Sequence, residues 1–165
     1  MDSQGMNQLT YLRLLYTEHS YYEDESDPDE WSRPSSHTER EIEGLLLVDS
    51  DAYATAGIRG SVQAGEHIFA LVAQWSSGDS FGMSYNCAVE LINVYRSKSA
   101  ADYAKKVLEE TPDDTYDFKP VQYLDDAGNI INYTRPWTGY FDRLVSLEVY
   151  ELPVELEDDQ ASPSS

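Results

Sequence analysis

HIFALVAQW (residues 67–75), AVELINVYR (88–96) and SAADYAKKVLEE (99–110) decide the fold between them. The first is a run of apolar and β-branched residues with no breaker, long enough for a strand and too short for a buried helix. The second alternates, with Val89, Leu91, Asn93 and Tyr95 set against Glu90, Ile92, Val94 and Arg96. SSGDS (76–80) lies between them, and Gly78 and Asp79 are the expected turn. In the third segment Ala100, Tyr103, Ala104, Val107 and Leu108 recur at helical spacing. Ser99 is the expected N-cap, Asp102 stands three residues on, and Pro112 stops the helix.

Further strands are expected on both sides. QLTYLRLLY (8–16) is apolar on both faces and reads as a central strand. IEGLLLV (42–48) is a short apolar run expected to be a strand, and RLVSLEVYEL (143–152) is expected to be the last strand. DSDAYATAGIRGS (49–61) is turn-rich, with room for a helical turn in its middle. In FKPVQYLDDAGNIINYTR (118–135), two β-rich runs flank DDAGN and predict a hairpin turning at Gly128. The expected class is α+β: a single mainly antiparallel sheet of about five to seven strands, with one principal helix packed on one face. The expected organisation is one domain over residues 1–152 and an acidic, disordered tail over 153–165.

Residues 17–41, TEHSYYEDESDPDEWSRPSSHTERE, differ from everything around them. Seven acids fall between Glu18 and Glu30, followed by Pro and Ser. The stretch reads as a long acidic loop. It also holds Tyr21, Tyr22 and Trp31, aromatics that either dock on the protein's own surface or touch a partner. Trp137, in RPWTGYF, is a second candidate anchor.

The whole chain of 165 residues has 31 Asp+Glu against 11 Lys+Arg, a formal net charge of −20. That balance argues against direct nucleic-acid binding, which needs cations to replace the counterions of phosphate. It argues equally against an anionic membrane surface. No apolar run is as long as a membrane span. The opening MDSQGMNQ lacks the basic and apolar regions of a secretory signal, so a cytoplasmic protein is expected, in the host cytoplasm if phage-encoded.

Catalytic and metal chemistry find little support in the residues. Cys87 is the one cysteine and reads as a small buried apolar residue. His19, His37 and His67 have no metal-ligand spacing. DESDPDE (24–30) fails the Ca²⁺-loop pattern, with Asp29 where Gly belongs and Ser35 where Glu belongs. GDSFG (78–82) looks like the start of a Gly-Asp-Ser hydrolase motif, but no histidine follows His67 to activate Ser80. QWSSGDSFG (74–82) resembles small uncharacterised phage proteins, a likeness that implies no activity. The adjacent carboxylates Glu109/Glu110, Asp113/Asp114, Asp125/Asp126 and Asp158/Asp159 follow from composition alone. No catalytic residue, cofactor or metal site is therefore expected.

The acids cluster at Glu18–Glu30, Glu109–Asp117 and Glu148–Asp159. On one face they could imitate the phosphate track of DNA, one charge per roughly 1.7 Å of duplex. The expected function is a non-catalytic binding protein that inhibits or sequesters a basic, nucleic-acid-handling partner, as a phage counter-defence or host-takeover protein does. Partner binding is expected at Glu23, Asp24, Glu25, Asp27, Asp29 and Glu30, with Tyr22 and Trp31 as anchors. The alternative is a structural or assembly subunit whose acidity only keeps it soluble. Uncovered strand edges also allow a homodimer by sheet extension.

Overall fold

A computed structural model describes residues 9–23, 35–49, 55–79, 82–110, 121–124, 130–133 and 142–156. The elements in order are β1 (Leu9–Glu23), β2 (Ser35–Val48), β3 (Thr55–Arg59), β4 (His67–Asp79), β5 (Gly82–Tyr95), α1 (Lys98–Glu110), β6 (Val121–Leu124), β7 (Ile130–Tyr133) and β8 (Arg143–Leu156). Six strands form one sheet in the order β3-β1-β2-β5-β4-β8, and β6 and β7 form a separate antiparallel pair. The class is α+β. The sheet is mixed: four of its six strand pairings are antiparallel, in line with the expectation, and β2 runs parallel to both β5 and β8.

Those two parallel pairings lie at opposite ends of β2. Its start, Ser35–His37, pairs with Met83–Tyr85 of β5, and its end, Leu45–Leu47, pairs with Val154–Leu156 of β8. Strand β4 joins β5 to β8 by antiparallel pairing on both sides. The sheet therefore closes on itself through β2, β5, β4 and β8. Arg96 adds a side-chain bridge where β3 approaches the end of β5, donating to the carbonyls of Arg59 (3.0 Å) and Ser61 (2.9 Å).

Strand β4 explains the run HIFALVAQW. Its Ile68, Ala70 and Val72 join Leu12, Leu45, Leu91, Leu152 and Val154 in the core inside the closed sheet. Its alternate residues, Leu71 and Ala73, join Tyr95, Leu147 and the helix residues Ala101, Ala104 and Leu108 in a second core outside it. A strand buried on both faces has no polar side to show in its sequence.

Several expectations shift on this frame. Residues 17–23 and 35–41, read as loop, are strand: β1 and β2 pair from Tyr11↔Val48 out to Glu23↔Ser35. The rest of the expected acidic loop, 24–34, lies outside the described residues. Pro153–Leu156, read as the start of the tail, belongs to β8. Val154 is buried in the inner core, and its amide and carbonyl bond to Glu66 and Gly65 at 2.9 Å each. Residues 157–165 lie outside the described residues.

Strand β3 replaces the expected turn or helical piece. Gly57 permits it, because a Cβ there would meet the Tyr11 ring of its pairing partner at 3.3 Å. Gly78 and Asp79 pair with Met83 and Gly82, so the β4–β5 connection is Ser80 and Phe81. The helix is capped by Ser97 rather than Ser99: the Ala100 amide donates to Ser97 Oγ at 3.2 Å. Its buried stripe is Ala101, Ala104 and Leu108, while Tyr103 is exposed. Cys87, expected inside, is exposed. It follows Asn86, whose φ of 55° lies in the left-handed region, at an irregularity in the β4–β5 ladder. Strands β6 and β7 confirm the two arms of the hairpin around DDAGN, and Gly128 lies outside the described residues.

Candidate functional site

The β1–β2 hairpin carries the candidate site, because every expected partner-binding residue lies on it or on the segment joining its strands. Tyr22 and Glu23 end β1, paired with Ser36 and Ser35. Asp24, Glu25, Asp27, Asp29, Glu30 and Trp31 fall in 24–34, and Trp137 in 134–141, all outside the described residues. What the structure adds are the two faces of the hairpin that present this segment.

The inner face is polar and tightly bonded. Three cross-strand pairs follow in register: Tyr16↔Ile42, Glu18↔Arg40 and Ser20↔Thr38. The Arg40 side chain is only 2% exposed. Its Nε donates to Glu18 Oε2 at 2.8 Å. Its Nη1 donates to the Asn86 carbonyl at 2.7 Å and reaches Asn86 Oδ1 and Gln74 Oε1 at 3.3 Å each. The guanidinium lies 5.8 Å from the centre of the Tyr16 ring.

Asn86 is fixed in turn by its amide, which donates to Ser76 Oγ at 2.7 Å. Thr38, Gln74 and Ser76 are the buried polar residues among those described, and all three belong to this cluster. Burying a guanidinium is costly without compensation, and here four acceptor atoms, one of them on a carboxylate, supply it. Glu18 is 42% exposed, so it gives up only part of its own hydration. The cluster ties the hairpin arm to β4 and β5. It leaves no nucleophile–base pair, and no group of His, Cys, Asp or Glu among the described residues could hold a metal ion.

The outer face is acidic at one end and aromatic at the other. Glu39 and Glu41 point outward opposite His19 and Thr17. Ile42 and Leu45 both pack into the inner core, so Glu43 and Gly44 between them turn outward at the bulge facing Leu15/Tyr16. Glu39, Glu41 and Glu43 therefore form one exposed row, and Glu155 of β8 lies over Gly44 at its end. Glu39 sits 3.3 Å from the His37 ring. Among the described residues no Lys or Arg forms an ion pair with any of these three glutamates.

Past Glu39 the same face becomes aromatic. Tyr21 pairs with His37, and His37 pairs with Tyr85. The Tyr21 and His37 rings stack with centres 6.4 Å apart and planes 20° apart. Arg40 and this triplet escaped sequence reading for one reason. Both are made by pairing across strands, in a stretch whose composition resembles a loop. The available signal was the polar alternation of HTEREIE (37–43), which puts His37, Glu39, Glu41 and Glu43 at every second position. No helix among the described residues is long and apolar enough to cross a membrane. No protein-family model, no curated protein and no solved structure matches the chain.

Proposed function

We propose that the protein is a non-catalytic binding protein that uses its acidic hairpin to inhibit or sequester a basic, nucleic-acid-handling partner. The observation that carries the reading is the exposed row Glu39, Glu41 and Glu43, which form no Lys or Arg ion pair among the described residues, on the strand pair whose connecting sequence includes the acids of 24–30. A surface so charged attracts cations over a distance of roughly a Debye length, about 8–10 Å in physiological salt. Binding of this kind is fast and weakens steeply as salt is added.

Imitation of DNA is the finer form of the proposal. Alternate residues of a strand stand about 6.8 Å apart, so the row carries half the axial charge density of a single DNA strand, one per about 3.4 Å. The row alone is too sparse. The acids of 24–30 have to extend or double it.

The test is affinity capture from native-host lysate on the immobilised chain, eluted with a salt gradient. A variant with Glu39, Glu41 and Glu43 changed to Lys and a second with Glu23, Asp24, Glu25 and Asp27 changed to Lys run beside it. A nucleic-acid-handling protein released at moderate salt from the native chain, and absent from both variants, is the expected result. Recovery of the chain alone, or of a partner that resists high salt, moves the function to an assembly subunit held by apolar burial.

A further inference from the structure

The structure assigns the aromatic end of the outer face, Tyr21, His37 and Tyr85, to the recognition of arginine side chains of a basic partner. This inference rests on the acidic-binding reading and sharpens it. The three residues are direct neighbours across β1, β2 and β5. All are open: Tyr21 is 52% exposed, Tyr85 49%, and the His37 side chain 47%. Three exposed rings in register on an otherwise polar arm contribute nothing to either core. Tyr21 and His37 stack, and Tyr85 stands on the next strand, so the three positions span roughly 10 Å, from the spacing of neighbouring strands.

The surroundings select the occupant. Glu39, two residues along from His37, is 64% exposed and lies beside the imidazole. The acidic row continues from there, and the net charge of −20 repels nucleic acid, the other common ligand of an aromatic platform. A guanidinium meets both parts of the surface at once. Its plane lies on the ring faces while its forked N–H groups engage a carboxylate. A lysine ammonium uses the carboxylate but is a poorer match to the rings. Arginine therefore binds better than lysine at this end, whereas the bare acidic row responds to charge with less regard for its carrier.

Titration of the full-length chain with labelled oligoarginine and oligolysine of equal length, by fluorescence anisotropy at fixed ionic strength, tests the assignment. The native chain should favour oligoarginine by about 5- to 30-fold, the sum of two exposed cation–π contacts. The Tyr21→Ala/Tyr85→Ala double variant should lose that preference and leave oligolysine affinity unchanged. These side chains lie outside both cores, so the fold tolerates their loss. The Tyr21→Phe/Tyr85→Phe variant keeps the ring faces and should keep the preference. Equal affinity of the native chain for the two peptides overturns the assignment, and so does a preference that survives in the alanine variant, which places it in the carboxylates. Failure of both peptides to bind overturns the acidic-binding reading as well.

Discussion

The interior of the closed sheet is built in two ways along its length. Where β2 meets β8, Leu12, Leu45, Ile68, Leu152 and Val154 fill it with apolar side chains. Where β2 meets β5, Arg40 fills it, bonded to Glu18, Gln74 and Asn86, with Thr38 and Ser76 beside it. The apolar end is held by burial, which has magnitude but little direction. The polar end is held by hydrogen bonds, which have direction and lose their value when a partner moves. The first stabilises the molecule. The second fixes the register and angle at which the hairpin arm leaves it, and the arm carries the proposed binding faces.

The apolar end is the more sensitive of the two to truncation. Leu12 and Leu45 are fully buried there. Leu45→Ala should cost about 3–5 kcal/mol, the range for leucine truncation in a core that cannot collapse around the gap. Chemical denaturation measures it. A cost below about 1 kcal/mol would mean that the apolar end is loosely packed and is not held by burial.

The polar end should respond less in magnitude and differently in kind. Arg40→Ala leaves Gln74 and Asn86 without their donor, at about 2–4 kcal/mol. Arg40→Met keeps most of the volume and removes the charge, so it should recover part of that loss. The decisive readout is positional: exchange protection of the amides of 17–23 and 36–41 should fall in both variants, while that of β4 holds. If Arg40→Met leaves arm protection intact, volume rather than hydrogen bonding sets the arm, and the two ends of the interior are alike.

The same contrast governs what could be read in the sequence. Apolar packing leaves a period-2 or two-faced apolar pattern, so β4, β8 and the first half of β1 are legible in HIFALVAQW, RLVSLEVYEL and QLTYLRLLY. The polar end leaves no such trace. Arg40 meets Asn86, 46 positions away, only after two hairpins have formed and β2 has paired with β5. In sequence it is one more polar residue in a Pro/Ser-rich stretch, and Glu18 is one more acid. The same non-locality hid Tyr21, His37 and Tyr85. The charge of segment 24–30 is legible by composition, because charge density needs no register.

Tyr150 gives the smallest test, and it probes the apolar end through pH. The side chain packs against the inner core, and burial pushes its phenol above the usual value of 10.0, with the Glu148 carboxylate adding to the rise. The unfolded chain loses the proton near pH 10, while the folded chain holds it to higher pH. Between those two values the folded state binds more protons, so rising pH favours unfolding. The contribution of Tyr150 is therefore complete below pH 10 and is lost as pH climbs through its folded value. Tyr150→Phe should remove this part of the alkaline decline in the urea midpoint and change little at neutral pH. Glu148→Gln should narrow the window from its upper end, because it removes the lesser of the two causes. Since Tyr150 keeps some access to water, both effects should be smaller than those at Leu45 and Arg40. A Phe variant with the full native decline would show that the hydroxyl reaches solvent freely, and that the apolar end stops short of β8's Tyr150.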